Sequence, residues 1–440
     1  MIAPKYPLYH MYTKELSQPM KLLRAFVLVG VAVALVACSM GDLPAQLKSK
    51  LSFRGRILVW HTWEEPDSLV LESIFDSFME VHPGVRIVSE YVPAGQLRER
   101  FNDRISAGLG PDLLIGPELG FVRELADQGA LVDLSEIELE TQFLLPRAVD
   151  ALRIDEGLYG LPLAAHTNVL YYNKKMVDMP VATLDDLILA AREGQVITIP
   201  VDFHEIYWGV RAFGDDLMDD GGQLNVGEGF TEWVTWLLKA QEEPTIILSR
   251  DEEDLYALFS SGRAAYFIGD STLAPELRTV LGEENLGVTL IPRNATNEDA
   301  ENADPTMGSQ PPIADGGFLE IEAIVLNTLS TEQWLDIQLA EFLVNPVHQR
   351  QLTTSDLGQI PISSRVRFDP RISEAEAAMI RQSSNTAMAP LPYIRLEEAL
   401  TETGNDIYTQ LLEGVLTPEE ATEQMASKAW QLLYGEDSAQ

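Results

Sequence analysis

The stretch Gly157-Leu158-Tyr159-Gly160-Leu161-Pro162, running on to Val169-Leu170-Tyr171-Tyr172, marks where one strand–helix pattern stops and a second begins. Ahead of it, Arg56-Ile57-Leu58-Val59-Trp60 is short, apolar and β-prone and reads as a buried strand. Pro66-Asp67-Ser68 opens a helix with Val70, Ile74, Phe78 and Val81 on one apolar face, and Pro83-Gly84 stops it. Val85 to Val88 begins another strand, a helix follows from about Ala94 to Ala107, and Gly110-Pro111 leads into Asp112–Ile115. Strand–helix–strand–helix–strand at this spacing specifies a parallel sheet flanked by helices. Ligands in such folds bind beyond the carboxyl ends of the strands, here Trp60–Glu65 and Gly116–Leu119.

Beyond the break the same alternation returns. Val169–Tyr172 is a strand, Thr183–Arg192 a helix with a Thr cap and early acids, and Val196–Ile199 a strand. Glu232–Gln241 and Glu253–Ser260 are amphipathic, and Ala264–Ile268 is strand-like. Asn294–Gly316 is polar and rich in Pro and Gly, a long surface loop. Phe318–Leu326 returns to strand; Glu332–Leu343, Glu374–Ser383, Arg395–Leu412 and Pro418–Leu433 are helical. Two α/β lobes are expected. Trp233, Trp236, Trp334 and Trp430 sit within helices and read as core.

Lys21 and Arg24 precede Phe26–Ala37, an uninterrupted apolar run of twelve residues. Twelve helical residues span about 18 Å, short of a roughly 30 Å hydrocarbon core, so the run reads as a secretory signal. Leu35-Val36-Ala37-Cys38 resembles a bacterial lipobox, after which the signal is cleaved and Cys38 acylated. Residues 1–37 are the expected signal peptide, with Met20 the better start, and 38–54 the lipidated tether.

The 440 residues carry 31 Lys+Arg and 68 Asp+Glu, a net charge of −37. Removing residues 1–37 takes four of the basic residues and one acid, leaving −40. A body this acidic repels phosphate backbones, which argues against nucleic acid. A single Cys excludes a disulfide framework and any multi-Cys metal centre.

Several segments in order resemble the extracellular solute-binding proteins of bacterial ABC sugar importers, the maltose-binding-protein-like family. Leu58-Val59-Trp60-His61-Thr62-Trp63 with the helix ending at His82-Pro83-Gly84 is similar to its opening unit. Gly110–Ile115, Leu125–Ser135, Gly157–Leu163 into Val169–Lys174, Gly262–Ile268 and Gly358–Pro361 follow as its later segments do. The resemblance implies a two-lobed α/β periplasmic-binding-protein type II fold, each lobe a mostly parallel sheet flanked by helices. It implies hinge crossings near Pro162–Ala165, Gly316–Phe318 and Pro361–Arg365, with lobes at 55–164 plus 317–362 and 165–316 plus 363–440. The implied function is capture of an extracytoplasmic carbohydrate by hinge closure and delivery to an ABC permease. The implied protein is a monomer held to the membrane by its lipid alone, with no cofactor and no catalysis.

A sugar site wants aromatic rings beside polar and charged groups in an enclosed cleft. The resemblance puts Trp63, Glu64 and Glu65 in a first contact loop. Core packing is the competing role for Trp63, and exposed first-turn acids for the two glutamates. Glu118 falls in the second contact loop and His166 at the first crossing, where a satisfied buried histidine is the other reading. Asp202-Phe203-His204-Glu205-Ile206-Tyr207-Trp208 combines acids, imidazole and aromatics after a strand, with Glu205 and Trp208 the candidates. Asp270-Ser271-Thr272 lacks the stacking Trp that many relatives carry there, leaving Asp270 as a hydrogen-bonding candidate. Gly317 offers backbone amides or hinge freedom, and Tyr393 and Arg395 lie in the segment that often closes the site.

Two other ligands or roles compete. A cation, polyamine or metal, fits carboxylates near His61, His166 and His204. A non-transporting sensor or scaffold fits the missing Trp. A hydrolase is disfavoured: neither His-Glu-x-x-His nor Gly-x-Ser-x-Gly occurs, and with so many acids a chance carboxylate pair means nothing.

Overall fold

The computed structural model describes residues 53–65, 68–218, 224–294, 316–354, 358–369, 371, 374–384, 386 and 391–435, the side chains of 391–393 and 395 excepted. The expected signal, Cys38 and nearly all of the tether lie outside the described residues, as does 295–315 of the expected loop.

The first part of the chain runs β1 (Gly55–His61), α1 (Ser68–Val81), β2 (Val85–Tyr91), α2 (Ala94–Ser106), β3 (Leu113–Ile115), α3 (Leu119–Asp127) and α4 (Pro146–Asp150). A small hairpin, β4 (Arg153–Ile154) and β5 (Gly157–Leu158), precedes β6 (Leu161–His166). Then come β7 (Asn168–Asn173), α5 (Leu184–Arg192), β8 (Ile197–Pro200), α6 (Tyr207–Ala212), α7 (Glu228–Gln241), β9 (Ile246–Ser249) and α8 (Glu252–Ser260). β10 (Tyr266–Asp270), α9 (Ala274–Leu281), β11 (Leu286–Thr289) and β12 (Glu320–Leu326) follow. Helices α10 (Gln333–Leu343), α11 (Pro346–Thr354), α12 (Glu374–Ser384), α13 (Leu391–Leu412) and α14 (Pro418–Tyr434) complete the order.

Two five-stranded sheets result, β2-β1-β3-β12-β6 and β11-β7-β10-β8-β9. In the first, β1 pairs in parallel with β2 and β3, while β12 is antiparallel to both β3 and β6. In the second, β8 pairs in parallel with β9 and β10, while β7 is antiparallel to both β10 and β11. Four strands of each sheet therefore run one way and one runs against them.

Each reversed strand is the one that enters its sheet from the other sheet. β7 follows β6 after the single residue Thr167, and β12 is the first described strand after β11. This reversal brings the carboxyl ends of the co-directed strands and the amino end of the reversed one to the same edge. In the first sheet that edge carries His61, Ile115, His166 and Glu320; in the second, Pro200, Ser249, Asp270 and Asn168.

Helix boundaries fall within a few residues of the sequence reading, but two faces differ. In α1 the buried apolar side chains are Leu71, Ile74, Phe75 and Phe78, and Val81 is 55% exposed. The face is centred a residue away from the one expected, because Leu71 and Phe75 supply more apolar surface than Val70 and Val81. Trp334 is 63% exposed rather than core. The face that α10 buries is formed by Leu335, Ile337, Leu339, Ala340 and Leu343, which leaves the Trp334 position outside it. Trp233 and Trp236 are buried as expected and stack at 5.4 Å.

The core against the second sheet is aromatic. Phe203, Tyr207, Trp208, Phe230, Trp233 and Tyr408 are all sealed from solvent, and Leu411, Met425 and Ala429 of the last two helices close over them. At the start of α5, Thr183 and Asp186 bond reciprocally to each other's backbone amides, the capping box that its Thr and acids suggest. No described helix is long and apolar enough to cross a membrane.

Candidate functional site

The site is built where the two strand edges meet, and two imidazole–carboxylate pairs join them. His166, closing β6, places Nδ1 2.7 Å from Asp270 Oδ2 at the end of β10. His204, just past β8, places Nε2 3.2 Å from Glu320 Oε1 at the start of β12. The pairs are reciprocal: each sheet gives one histidine and one acid. The remaining ring nitrogens also face carboxylates, His166 Nε2 at 3.9 Å from Glu322 and His204 Nδ1 at 3.4 Å from Glu397.

Burial alone would lower both imidazoles, but their carboxylate partners outweigh it. His166 is held up at about 10 by Asp270, with help from Glu322 and Glu320. His204 is held up at about 9, chiefly by Glu320. Burial pushes the Asp270 and Glu320 carboxyls up as well, yet the facing imidazoles win and keep both below their ordinary values. Both pairs are ionic at neutral pH.

The acids are also fixed by local structure. Asp270 Oδ1 accepts from Thr272 N at 2.8 Å and from Thr272 Oγ1 at 2.5 Å, and the Asp270 carbonyl accepts from Tyr171 OH at 2.6 Å. The Asp202 carboxylate accepts from His204 N and from Asn405 Nδ2 of α13, which holds the His204 turn against that helix. Asn168 Nδ2 donates to the Glu205 carbonyl at 2.6 Å and to Glu205 Oε2 at 3.0 Å. Burial first, and Asp270 second, push Glu205 up to about 7.

Two cavities open here. An inner one of about 110 Å³ is lined by Glu118, His166, Glu320, Glu322, Ile394 and Glu397, among others. An outer groove of about 1070 Å³ shares Glu118, Ile394 and Glu397 and continues past His204 along α3 and α13. Its volume suits an extended ligand, since small-molecule sites occupy roughly 300–1,000 Å³. Among the described residues lining the two cavities there is no Trp, Tyr or Phe.

The structure brings some of the sequence candidates together and parts others from them. His166, Asp270 and Glu205 lie at the junction, and Glu118, exposed at the start of α3, lines both cavities. Trp63 is 7% exposed and donates from Nε1 to Glu322 Oε2 at 3.2 Å, so it orients an acid of the inner cavity. Glu64 is exposed and accepts from Tyr91 OH at 2.5 Å; Glu65 is exposed. Trp208 has no exposed surface and packs 5.1 Å from Trp233. Gly317 is buried against it, where an added Cβ would lie 3.7 Å from Trp208 Cβ. The Gly316 carbonyl accepts from Arg211 at 2.6 Å. The side chains of Tyr393 and Arg395 lie outside those described. His61, grouped with the other histidines on sequence, is 3% exposed and lowered by burial; it joins neither pair. Among the described residues no cluster of His, Cys, Asp and Glu is arranged to hold a metal ion.

Sequence reasoning did not single out Glu320, Glu322, Asn168 or Glu397. A signal for the first two existed. Phe318-Leu319-Glu320-Ile321-Glu322-Ala323-Ile324 is a buried strand with acids at alternate positions, hence on one face. Nothing local marked Glu397, which reaches His204 only because α13 folds back over it.

Residues 73–380 match the bacterial extracellular solute-binding protein family, and the chain belongs to it. That family lies outside the cytoplasm. A maltotriose-binding protein of Pyrococcus abyssi is 30% identical over 175 residues, 38% of each chain. A galactooligosaccharide-binding protein of Bacillus subtilis is 24% identical over 426 residues, 91% of this chain and 94% of that one. Among solved structures, the GacH receptor of Streptomyces glaucescens aligns with a TM-score of 0.73 at 18% identity, covering 87% of this chain and 99% of that one. A cyclo/maltodextrin-binding protein complexed with maltotetraose aligns at 0.71 and 19%, covering 88% and 99%. These likenesses establish the two-lobed fold.

Proposed function

We propose that the protein is the ligand-capturing component of an ABC importer, taking an extracytoplasmic sugar or oligosaccharide and presenting it to a membrane permease. The observation that carries this reading is the pair of reciprocal His–carboxylate contacts linking the two sheets beside a groove of about 1070 Å³. A ligand seated there touches both sheets, and only a ligand with that property favours a closed state over an open one. The lobes in this reading are 55–164 plus 317–362 and 165–316 plus 363–440, turning about the three crossings. Cys38 carries the lipid anchor, the protein acts as a monomer, and it performs no chemistry on its ligand. The curated relatives, named for maltotriose and galactooligosaccharide, support the carbohydrate class.

Thermal unfolding of the purified chain against maltotriose, a galactooligosaccharide, spermidine and divalent cations tests the reading. A sugar at about a hundred times its dissociation constant stabilises by roughly 2.7 kcal/mol, and the shift should shrink in Glu118→Ala. A shift with cations and none with any sugar would overturn it.

A further inference from the structure

Each of the two His–carboxylate pairs spans the junction of the sheets, and none of the four groups is free to follow a departing partner. His166 and Glu320 stand opposite each other in the ladder of the first sheet. In the second, Asp270 is held through its ladder to Asn168 and its side-chain bonds to Thr272. His204 sits in a turn whose Asp202 is tied to Asn405 of α13. The contacts measure 2.7 Å and 3.2 Å. Since a hydrogen bond is lost by about 3.6 Å, moving the sheets apart by about 1 Å breaks both.

Separation also leaves an imbalance. His166 keeps Glu322 nearby and His204 keeps Glu397, but Asp270 is left beside Glu205, which burial first and Asp270 second already raise. The paired side chains are 20–35% exposed, so water can replace the partners and the contacts are reversible.

We propose that the His166–Asp270 and His204–Glu320 pairs form a latch that draws the two lobes together before a ligand arrives, so that a ligand enters during transient opening. This rests on the lobes and crossings of the reading above and not on the chemistry of the ligand. The closed arrangement is then favoured by the chain's own charges, and the ligand adds to that preference rather than creating it.

The charge of the latch can be changed almost by itself. His166 faces Asp270, Glu320 and Glu322; His204 faces Glu320, Glu397 and Glu205. Tyr171, which donates to the Asp270 carbonyl, is raised by burial and stays neutral. The other described charged groups lining the cavities are Arg98, Arg123 and Arg250 with Glu118, Glu124, Asp127, Glu398 and Glu402. Arginines and carboxylates keep their charge between pH 8 and 10.5, whereas the two imidazoles lose theirs near 10 and 9.

Small-angle scattering of the purified chain without ligand compares pH 8 with pH 10.5, in the wild type and in His166→Gln/His204→Gln, with far-UV circular dichroism verifying that helix content is kept. The wild type should be compact at pH 8 and expand at pH 10.5; the variant should be expanded at pH 8 and indifferent to pH. Equal radii for the two proteins at pH 8 would overturn the latch. If the double variant loses its helices, the wild type decides alone, and a radius unchanged up to pH 10.5 overturns the proposal. Stopped-flow binding of maltotriose should show association and dissociation both at least threefold faster in the variant. Faster dissociation with unchanged association would make the histidines ligand contacts and no latch. If the radii respond as expected and neither maltotriose nor a galactooligosaccharide binds, the latch stands and the carbohydrate reading fails.

Discussion

Seven consecutive residues, Asp202 to Trp208, serve the aromatic core and the cleft at once, and the two regions treat their side chains in opposite ways. Phe203, Ile206, Tyr207 and Trp208 turn inward and have no exposed surface. Phe203 meets Tyr408 at 5.5 Å and Tyr207 stacks on Phe318 at 4.4 Å. Asp202, His204 and Glu205 stay partly exposed and spend their hydrogen bonds on Asn405, Glu320 and Asn168. Packing rigidifies one side so that the other can hold charges in fixed places. Stability in this stretch lives mainly in apolar burial, while its polar atoms carry the hydrogen bonds that face the cleft.

The sharpest way to break that division is Trp208→Ala. It empties a large space in a closed core and should cost about 3–5 kcal/mol, read from the denaturation midpoint. Trp208→Phe should cost less and leave ligand affinity intact. Lost affinity at undiminished stability would show that the indole belongs to the site.

A change of pH should act on the cleft and leave the apolar packing of Phe203, Tyr207 and Trp208 in place. The two histidines titrate near 10 and 9 in the folded protein against 6.5 unfolded, so their contribution is complete below about 6.5. It is lost as pH rises through 9 to 10. Asp270 and Glu320 sit below their unfolded values of 3.8 and 4.5, so their contribution is present above those and lost as pH falls through the lower folded values. Glu205 and Glu397, raised to about 7 and about 6 by burial, add a penalty for ionising above 4.5 that is complete once pH passes those values. The contribution of the two pairs should therefore be largest between about pH 4.5 and 6.5 and decline toward 9.5, and it is isolated by comparing the profile with that of His204→Gln. A flat urea midpoint over that range would mean the pairs are not formed in solution.

His204→Gln removes one of the two His–carboxylate pairs that join the sheets. Its acids are partly open to water, so screening trims the effect to about 1 kcal/mol, with a flatter alkaline limb of the pH profile as the specific signature. Glu65→Gln marks the quiet end of the comparison. An exposed acid outside both cavities should change stability by less than about 0.5 kcal/mol and leave sugar affinity unchanged; a large loss of affinity would return the first contact loop to the site.

Legibility followed the range of the interaction. Strand and helix identities were carried by local periodicity, as in Asp112–Ile115, and the Thr183 cap by residues three apart. The β9 strand, Ile246–Ser249, and helix α9 carried too little pattern to stand out. Glu118, Glu205 and Asp270 stood out as polar residues following strands, and His166 through the resemblance, at the first crossing. Trp208 was ambiguous because an aromatic after a strand serves a core or a platform equally well, and its neighbour Trp233 is distant in sequence. Glu397 had no local signal at all.

What the sequence determined by itself is the alternation of strands and helices, the break at Gly157–Pro162 and the six ordered segments that define the family, all of them properties of short stretches. Tertiary structure alone decided which acid faces which histidine. His166–Asp270 and His204–Glu320 join residues more than a hundred positions apart, brought together because each sheet contains one strand entering in reverse from the other. No local preference encodes that meeting, since the partners' charges act only over a few ångströms and the chain has to fold before they are within reach.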